Sequence, residues 1–473
     1  MKTKKFTFKP TLTILFCIML FAGSVEAQTS IISNSGNVSG ITSGTTINNW
    51  QNVGLPVSVT LSTGNKVLVL STFEADVTNG PTDILGKYQI TDGTLISPTI
   101  ERYVVAKAYD DHGIGAISYI FTYGGETAAK AFQLQHAKGI NGNKQFTTKG
   151  VIVAMVINDA NIKLPNSNKI TTTPNVTTTS TEDYVEVTGT KTDVITLTKP
   201  GGIYLTTSFS TLGDGALIGY YVLRSSSDGT NFTNIPDAAI TRTNSINPGA
   251  ATISILLEDQ PAGDYYFDVA HKTSTGTLTT RNLSLNVVGL VDANGLVFQT
   301  FKSTVASVVN STASFTTAAS NTITSLNGTN KVFFNSTFNM SSPDIVDAAA
   351  FQLVSSGGTF TSQILERYVP AGGTGSGGLV GLVTELNTNT IYTFELQHRS
   401  TAAVALTTSN INLVGFQLTS SPTFVFNAAS GDWNTASNWT PGLIPGISNS
   451  VSIPSDKTAL IAADDTASCN GLA

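Results

Sequence analysis

Lys66 to Phe73 reads KVLVLSTF, and Lys331 to Phe338 reads KVFFNSTF. The likeness continues in the same order downstream. YQITDGTLISPTIERYV at Tyr88 to Val104 returns as FQLVSSGGTFTSQILERYV at Phe351 to Val369, and AFQLQHAK at Ala131 to Lys138 returns as TFELQHR at Thr393 to Arg399. Blocks held in one order at similar spacing are an internal repeat. A more divergent copy lies between them. IYLTTSF at Ile203 to Phe209, YVLRSSSDGT at Tyr221 to Thr230 and YYFDVAHK at Tyr265 to Lys272 take the places of the three blocks. Histidines recur as His136, His271 and His398, separated by 135 and 127 residues, and arginines recur as Arg102, Arg242 and Arg367. A period this long is too large for a solenoid coil and suits a whole small domain.

Within a copy the pattern is that of strands. Val67, Val69 and Ser71 alternate with Leu68, Leu70 and Thr72, a run that suits a pleated, half-buried surface. Phe132, Leu134 and His136 share one face of their strand, as do Phe394, Leu396 and His398. Asp92-Gly93, Asn141-Gly142, Asp228-Gly229 and Asn327-Gly328 are turn signals at hairpin spacing. No segment carries a 3.6-residue apolar period, so the expectation is all-β, with about eight short strands per copy forming a two-sheet sandwich.

The order of blocks resembles the jelly-roll modules of the C1q and tumour-necrosis-factor superfamily, with an immunoglobulin-like sandwich as the alternative. Lys331-Val332-Phe333-Phe334 and Val414-Gly415-Phe416-Gln417-Leu418 would be the bounding strands. Members of that superfamily commonly form trimers. The resemblance therefore implies that the three copies form an intramolecular pseudo-trimer, the alternative being beads on a string. The expected divisions are 28–168, 169–290 and 291–420. The Thr-rich stretch Thr171 to Asp183 reads as the first linker, and the second falls near Gly289 to Gly295.

Residues 421–473 form a different unit. The stretch from Phe426 to Pro454 resembles the G-x-W…N-W-x-x-G-x-x-P unit of large surface proteins of Bacteroidota and of some autotransporter passengers, through Gly431, Trp433, Asn438, Trp439, Gly442 and Pro445. That likeness implies the start of a β-rich or β-helical region of the kind carried by type IX secretion cargo. With the chain ending at Ala473, a truncated unit is expected.

The N-terminus points to export. Lys2, Lys4, Lys5 and Lys9 precede an apolar run from Leu12 to Ala22, and Val25-Glu26-Ala27 supplies a cleavage pattern, so residues 1–27 read as a signal peptide and Gln28 as the mature start. The run is too short to span a bilayer. Cleavage removes four lysines and one glutamate and moves the formal charge from −6 to −9. Such a chain is poorly suited to nucleic acid or anionic membrane. Only Cys469 survives processing, so no internal disulfide forms. The expected location is secreted, or on the outer surface of a Gram-negative cell.

Each recurrent residue has a binding reading and a structural one. The histidines lack a second repeated ligand: Asp110-Asp111-His112 of the first copy becomes Gly373-Thr374-Gly375 in the third. His136, His271 and His398 are therefore read as structural, hydrogen-bonded within the sandwich, and Arg242 as a structural marker. Arg102 with Tyr103, and Arg367 with Tyr368, could form a cationic and aromatic patch for a glycan or protein ligand. The alternative is arginines pairing with Glu or a carbonyl at a strand end. Trp433 and Trp439 could stack on sugars, or pack at the start of a repeat. Glu74-Ala75-Asp76 and Tyr109-Asp110-Asp111 lack the dense Asp/Asn alternation of calcium loops, so no metal or cofactor is expected. No nucleophile elbow, H-E-x-x-H or Walker loop occurs. The expectation is a non-catalytic surface scaffold presenting binding faces, with carbohydrate-binding modules as the alternative.

Overall fold

The computed structural model describes residues 33–472 except 43–45, 62–63, 78–83, 105–112, 140–144, 160–163, 165–166, 173–174, 292–297, 326–330, 345, 357–359, 370, 385, 388–389, 401–403, 421–423, 441–443, 446–449 and 462–470. The signal segment, Asp110, Asp111, His112, Cys469, Gly442 and the turns at Asn141-Gly142 and Asn327-Gly328 lie outside the described residues.

The first copy has eight strands: β1 (Ser33–Thr42), β2 (Gln51–Thr60), β3 (Gly64–Val77), β4 (Ile84–Thr91), β5 (Ile100–Val104), β6 (Gly113–Glu126), β7 (Ala129–Lys138) and β8 (Gln145–Asp159). They form two antiparallel sheets, ordered β1-β8-β3-β6 and β2-β7-β4-β5. Except between β4 and β5, which pair directly, strands alternate between the two sheets as the chain advances, which is the jelly-roll arrangement and not the immunoglobulin one. The third copy repeats it. Its sheets are β19-β27-β21-β25, from β19 (Phe298–Asn310), β21 (Val332–Ser341), β25 (Thr374–Val383) and β27 (Leu406–Ser420), and β20-β26-β22-β23. The latter holds β20 (Thr316–Thr324), β22 (Val346–Ser355), the two-residue β23 (Phe360–Thr361) and β26 (Ile391–Ser400), with β24 (Leu365–Val369) also paired to β22.

The middle copy keeps the plan with broken edges. β9 (Ser167–Thr172) and β10 (Val176–Thr178) both pair with β18 (Leu278–Gly289), beside β13 (Gly201–Gly213) and β16 (Gly249–Gln260). Opposite lie β14 (Leu217–Ser226), β15 (Thr233–Asn244) and β17 (Gly263–Thr273), with β11 (Val185–Glu186) and β12 (Ile195–Leu197) on the edge. The Thr-rich stretch is therefore not a free linker. Thr171 and Thr172 pair with Ser284 and Leu283, and Val176 to Thr178 pair with Thr280 to Leu278. β-branched threonines suit an edge strand as readily as a polar connector, and composition alone does not separate the two.

Each sandwich has its own apolar core. In the first copy it contains Val67, Val69, Phe73, Tyr88, Phe121, Phe132 and Leu134. A fourth core joins the copies. Leu68, Leu70 and Ile120 from the first, Tyr204, Leu256 and Val288 from the second, and Phe333, Val380, Val414 and Phe416 from the third pack as one cluster. Both faces of KVLVLSTF are thus buried, one inside its sandwich and one against the neighbours. This differs from the half-buried expectation, and its cause is the packing of copy on copy. Each fully buried side chain of this size contributes about 1.5–3 kcal/mol.

Three equivalent N–H bonds between the copies run in one rotational sense, although other contacts, such as Thr374 N–H to Thr243 Oγ1, run the other way. The N–H of Glu101 donates to Ser210 Oγ at 2.8 Å, that of Thr241 to Asn339 Oδ1 at 3.2 Å, and that of Glu366 to Glu74 Oε2 at 2.6 Å. The first copy thus reaches the second, the second the third, and the third the first. The acceptors Glu74, Ser210 and Asn339 each directly follow the phenylalanine of the first marker block. One level further along, Ser118 N–H donates to Ser208 Oγ at 3.1 Å and Ser254 N–H to Thr337 Oγ1 at 3.2 Å. The lysine that opens the block follows the same sense. Lys66 Nζ donates to the Ser167 carbonyl at 2.6 Å and Lys331 Nζ to the Ser33 carbonyl at 3.0 Å.

The C-terminal unit changes pairing type. β28 (Phe424–Phe426) runs parallel to β31 (Ser450–Ser452), which runs parallel to β33 (Gly471–Leu472), and β29 (Ser430–Asp432) runs parallel to β32 (Thr458–Leu460). Only β30 (Trp439–Thr440) pairs antiparallel, with β28. Parallel strands separated by one short coil of chain are the pairing of a β-solenoid. Among the described residues, no helix is long and apolar enough to cross a membrane.

Candidate functional site

The cyclic contacts fix where the recurrent arginines go. Arg102, Arg242 and Arg367 each follow directly on a residue whose N–H bridges to the next copy, so all three side chains turn toward the place where the copies meet. Their exposures are 6%, 7% and 6%. Each guanidinium lies against a glycine in the first two residues of β6, β16 or β25. A Cβ on Gly113 would sit 2.5 Å from Arg102 Nε, one on Gly375 would sit 2.6 Å from Arg367 Cζ, and one on Gly249 would fall inside the Arg242 guanidinium. Arg242 Nη1 donates to the Ala250 carbonyl at 3.0 Å, and Arg367 Nη1 donates to the Ser376 carbonyl. The residues next along these strands, Ile114 to Ala116, Ala250 to Thr252 and Ser376 to Gly378, line a narrow cavity with three residues from each copy.

Electrostatics confirm the proximity. Burial pulls Arg102 down to about 9 with Arg242 as the second cause, and pulls Arg242 down to about 10. Arg367 is lowered well below the usual arginine range by burial and then by both other arginines. The patch that the sequence offers for a surface ligand is therefore not assembled as such. Tyr103 and Tyr368 are half-buried, but their arginines point inward. Tyr103 uses its N–H on the Pro248 carbonyl of the second copy, at 2.9 Å.

The histidines stand inside the sandwiches, all fully buried. His136 Nδ1 meets Thr147 Oγ1 at 2.7 Å, His271 Nδ1 meets Thr280 Oγ1 at 2.8 Å, and His398 Nδ1 meets Thr408 Oγ1 at 2.7 Å. Each pair ties β7, β17 or β26 of one sheet to β8, β18 or β27 of the other. Burial pushes all three histidines down to about 4. Such imidazoles stay neutral at neutral pH. Glu74 is also buried: its carboxylate accepts from Thr148 and from the Glu366 N–H, with Lys149 Nζ at 3.9 Å. Those bonds leave it engaged within the protein and not arranged as a calcium loop.

Trp433 and Trp439 are buried against each other and Phe426, with ring centroids 4.7 Å apart in an edge-to-face arrangement. Trp439 Nε1 donates to the Trp433 carbonyl at 2.7 Å. Neither indole offers a free face for a sugar ring.

On their faces opposite the core, the sheets that hold the histidines differ between the copies. On the outward face of the first, Gln89 Nε2 donates to Gln135 Oε1 and Gln135 Nε2 to Asn52 Oδ1, both at 2.9 Å. The third carries a comparable ladder, with Gln352 donating to Gln397 and Gln397 to Glu395, both at 2.8 Å. The second places Val222 and Ala270 where the other two have the glutamine pair. Beside them, Arg224 binds Asp268 through two bonds of 2.8 and 2.5 Å, and Lys272 Nζ sits 4.9 Å from the Tyr184 ring centroid. The inter-copy acceptors Glu74, Ser210 and Asn339 escape a reading by motif. Their signal is positional only: a polar residue after the same phenylalanine in every copy.

No family model matches the chain, and no curated protein matches it. Among solved structures it is similar to PNGase F, a glycosylasparaginase from Flavobacterium meningosepticum, at 9% identity and a TM-score of 0.29, over 53% of this chain and 96% of that one. It is also similar to the Eiger TNF of S. frugiperda, at 13% identity and a TM-score of 0.19, over 27% and 93%. The tandem CBM22 domains of Paenibacillus barcinonensis Xyn10C match at 11% identity and a TM-score of 0.15, over 56% and 100%. All three sit at a level of likeness that carries no functional argument.

Proposed function

We propose that the protein is a non-catalytic, secreted or cell-surface scaffold that holds three outward binding faces on one rigid body. One observation carries this reading: what recurs in all three copies is internal, while the outward faces differ. The His–Thr ties, the arginines and the bridging N–H groups are buried or lie between copies, and the outward sheets carry amide ladders in the first and third copies and Lys, Arg and Tyr side chains in the second. A constant interior with a varied exterior is the arrangement expected of a presenting scaffold, in which several weak sites on one chain gain avidity.

The second reading is a set of carbohydrate-binding modules of a larger polysaccharide-processing protein. It draws support from the amide ladders, because paired glutamines offer the donors and acceptors that sugar hydroxyls need. Screening the full secreted chain on a glycan array separates the two. Binding to cells or proteins without a glycan hit supports the scaffold, and submicromolar binding to one polysaccharide transfers the argument to the second reading. Release of sugar or peptide from a broad substrate panel would overturn both. Export is tested by N-terminal sequencing of material from the culture medium, which should begin at Gln28.

A further inference from the structure

We propose that Arg102, Arg242 and Arg367 together form a binding site for a single small inorganic anion, held where the three copies meet.

Three features make this a built site. The three guanidiniums come from three copies more than a hundred residues apart, and each is more than nine-tenths buried. Glycine stands at the position each one covers, so the strands β6, β16 and β25 leave room for the arginine where any side chain would collide. The donors are also only partly used. The Nε of each arginine is buried without a partner among the described residues, and the hydrogen bonds found there, from Arg242 and Arg367, go to neutral carbonyls.

The charge balance then argues for an anion. Among the described residues the carboxylates that pair with arginine are Asp268 with Arg224 and Glu101 with Arg281; none pairs with the three axial arginines. Breaking a buried ion pair by removing one partner costs several kcal/mol, and three like charges side by side add repulsion. Arg102 and Arg242, at about 9 and about 10, stay charged at neutral pH. A guanidinium presents N–H groups in a planar fork that suits halides and oxyanions. Three such forks around one axis match three oxygens of a tetrahedral oxyanion, or the single centre of a halide. An ion held this way touches every copy, so its binding stabilises the assembly of the three.

The test uses the full secreted chain at fixed ionic strength, with gluconate as bulk anion exchanged stepwise for chloride or for inorganic phosphate. Thermal unfolding should shift upward by a few degrees and saturate, and the arm that saturates at lower concentration identifies halide or oxyanion. Arg367→Met, which keeps the stem and removes the charge, should lose the saturable response. Should that variant fail to fold, crystals of the unaltered chain grown with bromide provide the second readout: an anomalous peak between the guanidiniums supports the site. An unfolding midpoint unmoved by either exchange overturns it, and so does saturation by chloride without a bromide peak. A response that appears only after Asp110→Asn with Asp111→Asn also overturns it, in favour of a carboxylate of the chain itself.

Discussion

Glu366 donates its backbone N–H to Glu74 Oε2 at 2.6 Å, across 292 residues of sequence. This bond closes the ring that Glu101–Ser210 and Thr241–Asn339 begin, and it is the one of the three whose acceptor is a carboxyl oxygen. The same carboxyl group accepts from Thr148, so truncating Glu74 strands two donors where truncating Ser210 strands one. Glu74→Ala should therefore cost about 2 kcal/mol, and Ser210→Ala at the corresponding place about 1 kcal/mol. Urea unfolding of the two variants measures the difference. Equal losses would mean that the closing bond is not special.

The histidines make stability depend on pH. Each is held near 4 by burial, whereas an unfolded histidine titrates near 6.5. Below pH 6.5 the unfolded chain binds protons that the folded chain refuses, so folding free energy falls as pH drops from 6.5 toward 4. It stays flat on their account above pH 7. At pH 5 the loss is about 2 kcal/mol per histidine. Urea midpoints between pH 8 and 4.5 should show this fall, and His398→Gln, whose amide can still reach Thr408, should remove about a third of it. A level profile from pH 7 to 5 would contradict the assignment.

Gly249 opens β16 under the Arg242 guanidinium, which is boxed in by burial. Gly249→Ala should therefore destabilise by about 1–3 kcal/mol, as overpacking does. Gly124→Ala, where an added Cβ meets nothing within 4 Å, should be close to neutral. Thermal denaturation of the pair checks this. A harmless Gly249→Ala would mean that the arginine moves aside at little cost.

The shared core predicts a compact particle. For residues 28–420 a compact chain has a radius of gyration of about 21 Å, and independent beads joined by linkers give a distinctly larger value with an elongated profile. Small-angle scattering distinguishes them, and the elongated result would sink the three-way packing.

Trp439 closes the C-terminal core through its Nε1 bond to the Trp433 carbonyl and its contact with Phe426. Trp439→Ala should cost that unit about 3–5 kcal/mol, while leaving the far-ultraviolet signal of the sandwiches unchanged. Tryptophan fluorescence follows it, because two of the three tryptophans of the chain lie in this unit.

Repetition, all-β class and the in-facing run Phe132, Leu134, His136 are legible in the sequence, because alternation and self-similarity are local properties of a chain. The edge role of Thr171, Thr172 and Val176 to Thr178 and the second buried face of Leu68 and Leu70 are not, since a threonine-rich stretch or an apolar run reads the same against solvent, an edge or a neighbour. The arginines show the divide most clearly. Sequence places Arg102, Arg242 and Arg367 at equivalent points of three copies, and there each reads as a strand-end residue of its own sandwich. Only the packing of copy on copy turns all three to one axis and takes them out of water, because the distances between side chains of different copies depend on how whole sheets meet and not on any spacing along the chain.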